Sequence, residues 1–447
     1  MTLTKALGQF VADLSPNRLP EEAVRIACLG FTDCIGTMIA GRNEASTQIL
    51  KSVLAPPAGP ASLYFSGERS PGPEAGWING AAAHALDYDD VGMQGHPSTV
   101  LVPAILAEAE VLNAGGLDMI VAYVAGYETW AELCRRDMPT YHAKGWHPTG
   151  IFGAIGAAAA CAKMRRLDPA RTAIAIALGA SQSAGIMANF GTMTKPFHTG
   201  RAAHAGIMAA RLAEAGFTAS EDALEHPQGF LTAVSPEGGP DRDGDGRLGE
   251  EWAILKHGLS IKKYPACYGT HRAIDSILEL LAEHPVKPDD VRKVSVHFGR
   301  LTSKILRNHQ PDTGLSAKFS MEFAMASSLI ARRVTLQELT DSFVRRPEVQ
   351  SMMRRVELDI TDEVDPENRR SPPWEQVCIE LSSGRRIEGP KVSRATGHAE
   401  RPLSEAQLHD KFIDCLAFGG SAIPAETLYA RLQGIRSLKA RELTAVH

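Results

Sequence analysis

The stretch IFGAIGAAAACAKM (residues 151–164) is apolar on nearly every side when it is drawn as a helix. A helix that is hydrophobic all round is a buried one, and its alanines and glycines allow neighbouring backbones to approach closely. The segment ARTAIAIALGASQSAGIMA (170–188) has the same character. We therefore predict that these two segments form the central pair of helices in an all-helical core.

Helical patterns continue from the N-terminus to about residue 258. Apolar residues recur at spacings of three and four in EEAVRIACLGFTDCIGTMIAG (21–41), TVLVPAILAEAEVLNAGG (99–116) and LDMIVAYVAGYETWAELCRR (117–136). That periodicity is typical of helices with one buried face, and the first of these patterns stops at a glycine.

Near residue 260 the pattern changes. Apolar residues alternate in three short segments (291–299, 354–360 and 375–389), as in half-buried strands, and residues 316–333 between them have helical spacing. Helices return after about residue 393, beginning with Ser404 and Gln407 in the register of a capping box. The predicted fold is mainly α with an α+β insert. A large all-helical domain (1–259 and 393–447) is interrupted by a smaller α+β lid domain (260–392).

Composition and charge exclude several classes of protein. The 447 residues are 44% hydrophobic and carry a net charge of −5, without the basic face of a nucleic-acid binder. The N-terminus reads as a helix rather than a secretory signal, and no apolar run approaches the roughly 20 residues that span a membrane. The seven cysteines are scattered without a C-x-x-C pair, which argues against a disulfide framework or a metal cluster. We expect a cytoplasmic protein with neither nucleic acid nor membrane as a partner.

We predict that four polar loops interrupt the apolar helices: HALDYDDVGMQGHPSTV (84–100), YHAKGWHPTG (141–150), GTMTKPFHTGRAAHAG (191–206) and SIKKYPACYGTH (260–271). Buried polar groups need partners or a function. Histidine titrates near neutral pH, and lysines beside it would bind carboxylates and stabilise an enolate. We predict that Lys195 and its neighbours receive an anionic substrate.

Taken singly, several of these residues have simpler interpretations. We expect His84 to be a hydrogen-bonded core histidine, Asp89 and Asp90 to cap helices, and Lys263 to be solvated.

Two alternatives from other classes stay open. The segment DRDGDGRLGEEW (241–252) begins like an EF-hand calcium loop, with Asp241, Asp243, Asp245 and Gly246. Its twelfth position is Trp252 instead of the required glutamate, so an acidic surface turn is favoured over a calcium-responsive protein. In a metal-dependent hydrolase, His84, Asp87 and His96 would bind a divalent ion, but their spacing matches no established ligand motif.

At the polar segments the chain resembles the MmgE/PrpD family. The stretches that carry the resemblance lie in the family's order and cover essentially the whole chain: NGAAAHALDYDD (79–90), GHPSTVLVPAILA (95–107), GWHPTGIFGAIGAA (145–158), GTMTKPFHTGRAAHAG (191–206) and KKYPACYGTH (262–271). One departure is Val91, which stands where the family's decarboxylase has a threonine.

The resemblance implies a homodimer whose active site lies in a cleft between a helical domain and a lid, with no cofactor and no metal. It marks as catalytic Asp87, His96, His147, Lys195 and Lys262. We add as substrate-binding candidates His198, Tyr264 and His271.

The function predicted on this basis is a cofactor-independent lyase of dehydratase or decarboxylase type. It would act on a small di- or tricarboxylate by abstracting a proton alpha to a carboxylate. The alternative is an epimerase or isomerase of a dicarboxylate such as an iminodisuccinate-like compound.

Overall fold

Contacts within the chain define two compact units. The first contains residues 1–189, 193–260 and 404–447, and the second contains residues 190–192 and 261–403. The computed structural model describes residues 1–137, 140–244, 246, 248–366 and 371–446.

Helices dominate the described residues. In chain order they are α1 (Leu3–Asp13), α2 (Glu21–Ala40), α3 (Ala45–Leu54), α4 (Gly72–Ala85), α5 (Ser98–Leu112), α6 (Gly116–Arg135), α7 (Pro148–Met164), α8 (Pro169–Ser181), α9 (Thr194–Glu214), α10 (Phe230–Val234), α11 (Ala253–His257), α12 (His271–Glu283), α13 (Arg300–Ile305), α14 (Gly314–Ala317), α15 (Met321–Ala331), α16 (Asp341–Val344), α17 (Pro347–Met353), α18 (Glu405–Gly419), α19 (Ala425–Gln433) and α20 (Ala440–Leu443).

Strands are few and short. They are β1 (Ala61–Ser62), β2 (Arg69–Ser70), β3 (Val291–Gly299), β4 (Val356–Thr361), β5 (Gln376–Leu381) and β6 (Arg386–Glu388). The predicted fold class is confirmed: the protein is mainly α with a small α+β part.

Helix α7 occupies the core of the first unit, as its sequence predicts. All of its residues are buried except Lys163. Glycines bring its neighbours close, because a Cβ added to Gly126 of α6 would lie 2.7 Å from the carbonyl oxygen of Gly156. A Cβ on Gly206 of α9 would lie 2.3 Å from the Cβ of Ala157. Any larger side chain at these positions would push the helices apart.

Helix α8 differs from the prediction. It ends at Ser181, and only about half of its residues are buried, with Arg171 on the exposed face. Alanine is small enough to stand in water at little cost, so an alanine-rich pattern does not distinguish a buried face from an exposed one. The prediction that this second helix is buried all round was wrong. Helix α9 packs closely along α7 through Gly206.

The helical segment Glu21–Asn43 is long and apolar enough to cross a membrane by length and composition alone. The expectation that no segment has this length was therefore wrong. Within the first unit, 83% of its most apolar window is buried, as in the core helix of a globular domain. The cytoplasmic location stays a prediction.

The second unit is built on a four-stranded sheet of order β4-β3-β5-β6. Strands β3 and β4 are parallel, whereas β5 runs antiparallel to β3 and β6 antiparallel to β5. Val294, Val296 and Phe298 of β3 point into the core, as the alternating pattern predicts. The helical pattern at 316–333 is broken at Ser320, whose hydroxyl caps α15 by accepting from the amide of Phe323. That the second unit acts as a lid stays a prediction.

Candidate active site

The loop between α4 and α5 carries Asp87, Asp89 and His96 of the first unit's candidate site. Helix α4 ends at Ala85, and Asp87 then adopts a left-handed conformation (φ 51°) that turns the chain sharply. Aspartate tolerates this region better than most residues because its short polar side chain bonds locally.

Two contacts from elsewhere in the first unit fix this loop. Val91 and Ser260 exchange backbone hydrogen bonds of 2.8 and 2.9 Å. Lys411 of α18 donates to the carbonyl oxygen of Tyr88 (2.8 Å), and its ammonium lies 2.6 Å from Asp33 Oδ1. The loop is thereby held from both sides.

The prediction that Lys195 lies in a loop was wrong: it extends from the first turn of α9 and is buried. Its Nζ lies 2.6 Å from Asp87 Oδ1 and 2.8 Å from His84 Nε2. A helix N-terminus already carries partial positive charge, so an ammonium there requires an anion close by. Asp87 supplies that anion.

Asp89 lies between two histidines. His84 Nδ1 is 2.8 Å from Asp89 Oδ1, and His96 Nδ1 is 2.7 Å from Asp89 Oδ2. The same nitrogen of His96 lies 2.9 Å from the carbonyl oxygen of Asp90, so its N–H is shared between that carbonyl and the carboxylate of Asp89. Both acceptors favour a hydrogen on Nδ1 of His96.

Burial and neighbouring charges set the ionisation of these groups. Burial lowers the pKa of His84 to about 3, against the opposing effect of Asp89, so this imidazole is neutral at physiological pH. Burial alone would raise the pKa of Asp89, but His84 and His96 outweigh it and hold that pKa well below its usual range. Burial, together with Asp33 and Asp89, raises the pKa of Asp90 well above its usual range.

A second pair of histidines lies beside Lys195. His147 directly precedes α7. Its Nδ1 is 3.1 Å from Nδ1 of His198, so one of these nitrogens donates and the other accepts. The ring of His147 lies 6.1 Å from that of His84 and 6.5 Å from that of His96, between centroids. Burial and then Lys195 lower the pKa of His147 well below its usual range and that of His198 to about 4.

Four side chains of this site could in principle hold a metal ion. Ligand atoms of His84, Asp87, Asp89 and His96 lie within 4.8 Å of one another. Both ring nitrogens of His84 are already engaged, one by Asp89 and the other by Lys195. A metal ion on His84 would have to displace either the lysine or the hydrogen bond to Asp89, so these residues do not fit a metal without rearrangement.

The first unit brings together five of the predicted site residues: Asp87, His96, His147, Lys195 and His198. The other three belong to the second unit. There, Lys262 is fully buried, the hydroxyl of Tyr264 donates to Asp275 (2.7 Å), and the ring of His271 packs against that of Tyr264 at 5.1 Å. The catalytic and binding roles of all eight stay predictions.

Two residues of the site were missed by the sequence interpretation. His84 is buried and hydrogen-bonded, as expected, but its partners are Lys195 and Asp89. The expectation that Asp89 only caps a helix was wrong. The sequence did carry one sign of this site, because a run of acidic residues follows directly after a helix that carries a histidine in its last turn. Spacing alone does not show which of these aspartates points inward.

The acidic segment at 241–252 is organised by an arginine. The guanidinium of Arg136 donates to the carbonyl oxygens of Asp243 and Gly244 and lies 3.4 Å from Asp241 Oδ2. Asp245, the third acidic position of the calcium hypothesis, lies outside the described residues. A guanidinium thus lies beside Asp241, the first ligand position of the calcium hypothesis.

Comparison with known proteins identifies the protein family and the class of enzyme. The MmgE/PrpD N-terminal domain matches residues 5–243, and the MmgE/PrpD C-terminal domain matches residues 264–428. The chain therefore belongs to the MmgE/PrpD family and is an enzyme of that lyase or isomerase type.

Two relatives found in this comparison are cis-aconitate decarboxylases. The chain is 28% identical to cis-aconitate decarboxylase from Mus musculus, over 92% of its own length and 86% of the relative's. It is 24% identical to cis-aconitate decarboxylase from Aspergillus terreus, over 90% and 85% of the two chains.

Proposed function

We propose that this enzyme is a lyase of the dehydratase or decarboxylase type. It acts on a small di- or tricarboxylate without a metal or organic cofactor. The observation that carries the proposal is the buried ammonium of Lys195, held by Asp87 and His84 beside two further histidines. The likeness to cis-aconitate decarboxylases over most of the chain supports a tricarboxylate as substrate.

The ammonium of Lys195 has a defined task in this proposal. Attraction between opposite charges is much stronger in a buried site than in water. When a proton leaves the carbon alpha to a carboxylate, negative charge moves onto the carboxylate oxygens. A fixed ammonium beside them stabilises that charge without having to reorganise.

The histidines carry the proton in this scheme. His96 Nε2 takes the proton from the alpha carbon, and the C–H electron pair moves into the carboxylate to form an enediolate. As that pair returns, the bond from the neighbouring carbon to a hydroxyl group breaks, and the hydroxyl leaves as water with the proton that His96 has taken. In a decarboxylation, a protonated histidine instead gives its proton to carbon, and the bond to the departing carboxylate breaks to release CO2.

The second candidate is an epimerase of a dicarboxylate. The separation of His96 and His147, 6.5 Å between ring centroids, favours it, because two bases this far apart can address opposite faces of one carbon. The proton would then return to the face opposite the one it left.

One experiment separates these outcomes. Purified enzyme is incubated in deuterated water with cis-aconitate, 2-methylcitrate and an iminodisuccinate-like dicarboxylate, and the reactions are followed by proton NMR. Dehydration gives a new alkene, decarboxylation gives a product lacking one carboxyl group, and epimerisation gives deuterium exchange with a change of diastereomer. The Lys195→Met enzyme is the control. Absence of all three reactions across a broad set of polycarboxylates would refute the proposal.

Chelation tests the metal-free part of the proposal. Turnover is expected to be unchanged after EDTA treatment and desalting. Loss of turnover that a divalent ion restores would favour the metal-dependent alternative instead.

The homodimer implied by the family resemblance is part of the proposal. Light scattering coupled to size exclusion is expected to give about twice the chain mass of 48.0 kDa. A mass of one chain would refute it.

A further inference from the structure

We propose that Asp89 is a positioning residue: its one carboxylate fixes the tautomers of His84 and His96, so that both imidazoles present an unprotonated Nε2. The first step concerns the Nδ1 atoms. His84 Nδ1 faces Asp89 Oδ1 at 2.8 Å, and His96 Nδ1 faces both Asp89 Oδ2 (2.7 Å) and the carbonyl oxygen of Asp90 (2.9 Å). A carbonyl and an ionised carboxylate only accept hydrogen bonds, so each Nδ1 carries a hydrogen. A neutral imidazole carries one N–H, which leaves Nε2 unprotonated on both rings.

The tautomer of His84 matters for Lys195. His84 Nε2 lies 2.8 Å from the ammonium and accepts one of its three hydrogens. With the hydrogen on Nε2, the ring would direct an N–H at the ammonium, and Lys195 would lose this acceptor. Asp89 thereby acts on the lysine through a histidine, without touching it.

The tautomer of His96 matters for proton transfer, and this step rests on the proposed function. The side chain of His84 is fully buried, whereas that of His96 is 12% exposed, so His96 is the member of the pair that a substrate can reach. With its hydrogen held at Nδ1, His96 has a lone pair on Nε2 ready to accept a proton.

An amide cannot replace this carboxylate. Asn at position 89 would offer one acceptor and one donor, while both histidines direct an N–H at it. Whichever way the amide turns, its NH2 group meets one Nδ1–H, and that ring is driven to place its hydrogen on Nε2. If the ring is His84, Lys195 loses a partner; if it is His96, the base loses its lone pair.

The test combines histidine-selective 15N NMR with kinetics. Nitrogen shifts distinguish Nδ1–H from Nε2–H rings, and single His→Gln variants assign the signals. In the wild type we expect both His84 and His96 as Nδ1–H tautomers. In Asp89→Asn we expect one of them to switch and kcat to fall at least tenfold. The wrong tautomer in a Ser-His-Asp triad costs roughly 10⁴-fold, which sets the upper range.

Asp90→Asn is the matched control. Asp90 is equally buried and next in sequence, but its carboxyl group accepts from the Ser98 hydroxyl (2.9 Å) and not from a histidine ring. We expect no tautomer switch in this variant and a loss in kcat well below that of Asp89→Asn.

Three outcomes would overturn the proposal: an Nε2–H ring at His84 or His96 in the wild type, unchanged tautomers in Asp89→Asn, or equal tautomer changes in both variants. If Asp89→Asn does not fold, the wild-type spectra decide. Because the spectra need no substrate, they test the role of Asp89 even if no polycarboxylate is turned over, a result that would count only against the proposed function.

Discussion

Lys195 and Asp87 form a buried ion pair: 2.6 Å separates Nζ from Oδ1, and 6% of each side chain is exposed. The two residues are 108 positions apart in the chain. Taking one charge away leaves the other buried without its counter-ion, which costs more than an exposed pair ever contributes. Under the proposed function, stability and catalysis both depend on this contact, and they can be separated by experiment.

The first prediction separates them by a double substitution. Lys195→Met should lower the free energy of unfolding by about 3–5 kcal/mol, because it strands the carboxylate of Asp87, and should lower kcat by about 10²- to 10³-fold. Adding Asp87→Asn should recover much of the stability and none of the activity. Thermal unfolding and turnover are measured on the same preparations. Near-normal turnover by Lys195→Met would show that this lysine serves packing alone.

The second prediction concerns His96 as the base. His96→Gln should lower kcat by about 10²- to 10⁴-fold and stop deuterium exchange at the alpha carbon of the substrate. The control is His204→Gln, because His204 lies against the ring of Trp77 (4.9 Å) and makes no contact assigned to the reaction. Equal losses in the two variants would contradict the assignment.

The third prediction concerns the two adjacent lysines of the second unit. Lys262 is fully buried, whereas Lys263 is half-buried with its ammonium 5.3 Å from the centre of the Tyr264 ring. If Lys262 binds a carboxylate of the substrate, Lys262→Met should raise KM at least tenfold and Lys263→Met should change it far less. Matching changes in KM would exclude the predicted role of Lys262.

The fourth prediction is a loss of stability in mild acid. Burial lowers the pKa of His198 to about 4, while an unfolded histidine titrates near 6.5. Between these values the unfolded chain binds the proton and the folded chain does not, so stability falls as the pH drops from about 6.5 to about 4. The unfolding midpoint of His198→Gln should fall less steeply over this range than that of the wild type.

The wild type must be compared with His198→Gln because Glu128 changes the pH dependence of stability in the opposite direction. Burial raises the pKa of Glu128 to about 7, so its contribution to stability decreases as the pH rises from about 4.5 to 7. The difference between wild type and His198→Gln cancels this effect. Parallel curves for the two proteins would refute the prediction.

The fifth prediction concerns calcium. Because the guanidinium of Arg136 lies 3.4 Å from Asp241 Oδ2, the first ligand position of the calcium hypothesis, millimolar calcium should leave the unfolding midpoint unchanged. Magnesium at the same concentration controls for ionic strength. A stabilisation by calcium alone would restore the calcium hypothesis.

Sequence periodicity predicted the parts of the fold in which local pattern and burial agree. Helix α7 and strand β3 lie where their patterns place them, because each pattern reflects a single environment along its whole length. The exposed face of α8 was not predicted, since alanine is compatible with both core and surface. Periodicity describes one segment at a time and does not reveal which segment packs against which.

The site was predicted by residue type more fully than by geometry. Lys195 and Asp87 stood out as charges between apolar segments, and their contact agrees with that reading. The inward turn of Asp89 depends on the left-handed backbone at Asp87 and on the pairing of Val91 with Ser260. These are conformations and long-range contacts, which leave no periodic trace in the sequence.

The anchoring of the Tyr88 carbonyl by Lys411 has a consequence for biosynthesis. The candidate site residues of the first unit, from His84 to His198, are translated before residues 261–403 of the second unit. Lys411, which holds their loop at the carbonyl of Tyr88, is translated only with α18. While residues 261–403 are translated, the growing chain already contains these side chains but not the lysine that holds their loop. The order of translation therefore makes assembly of this centre one of the last events in the making of each molecule.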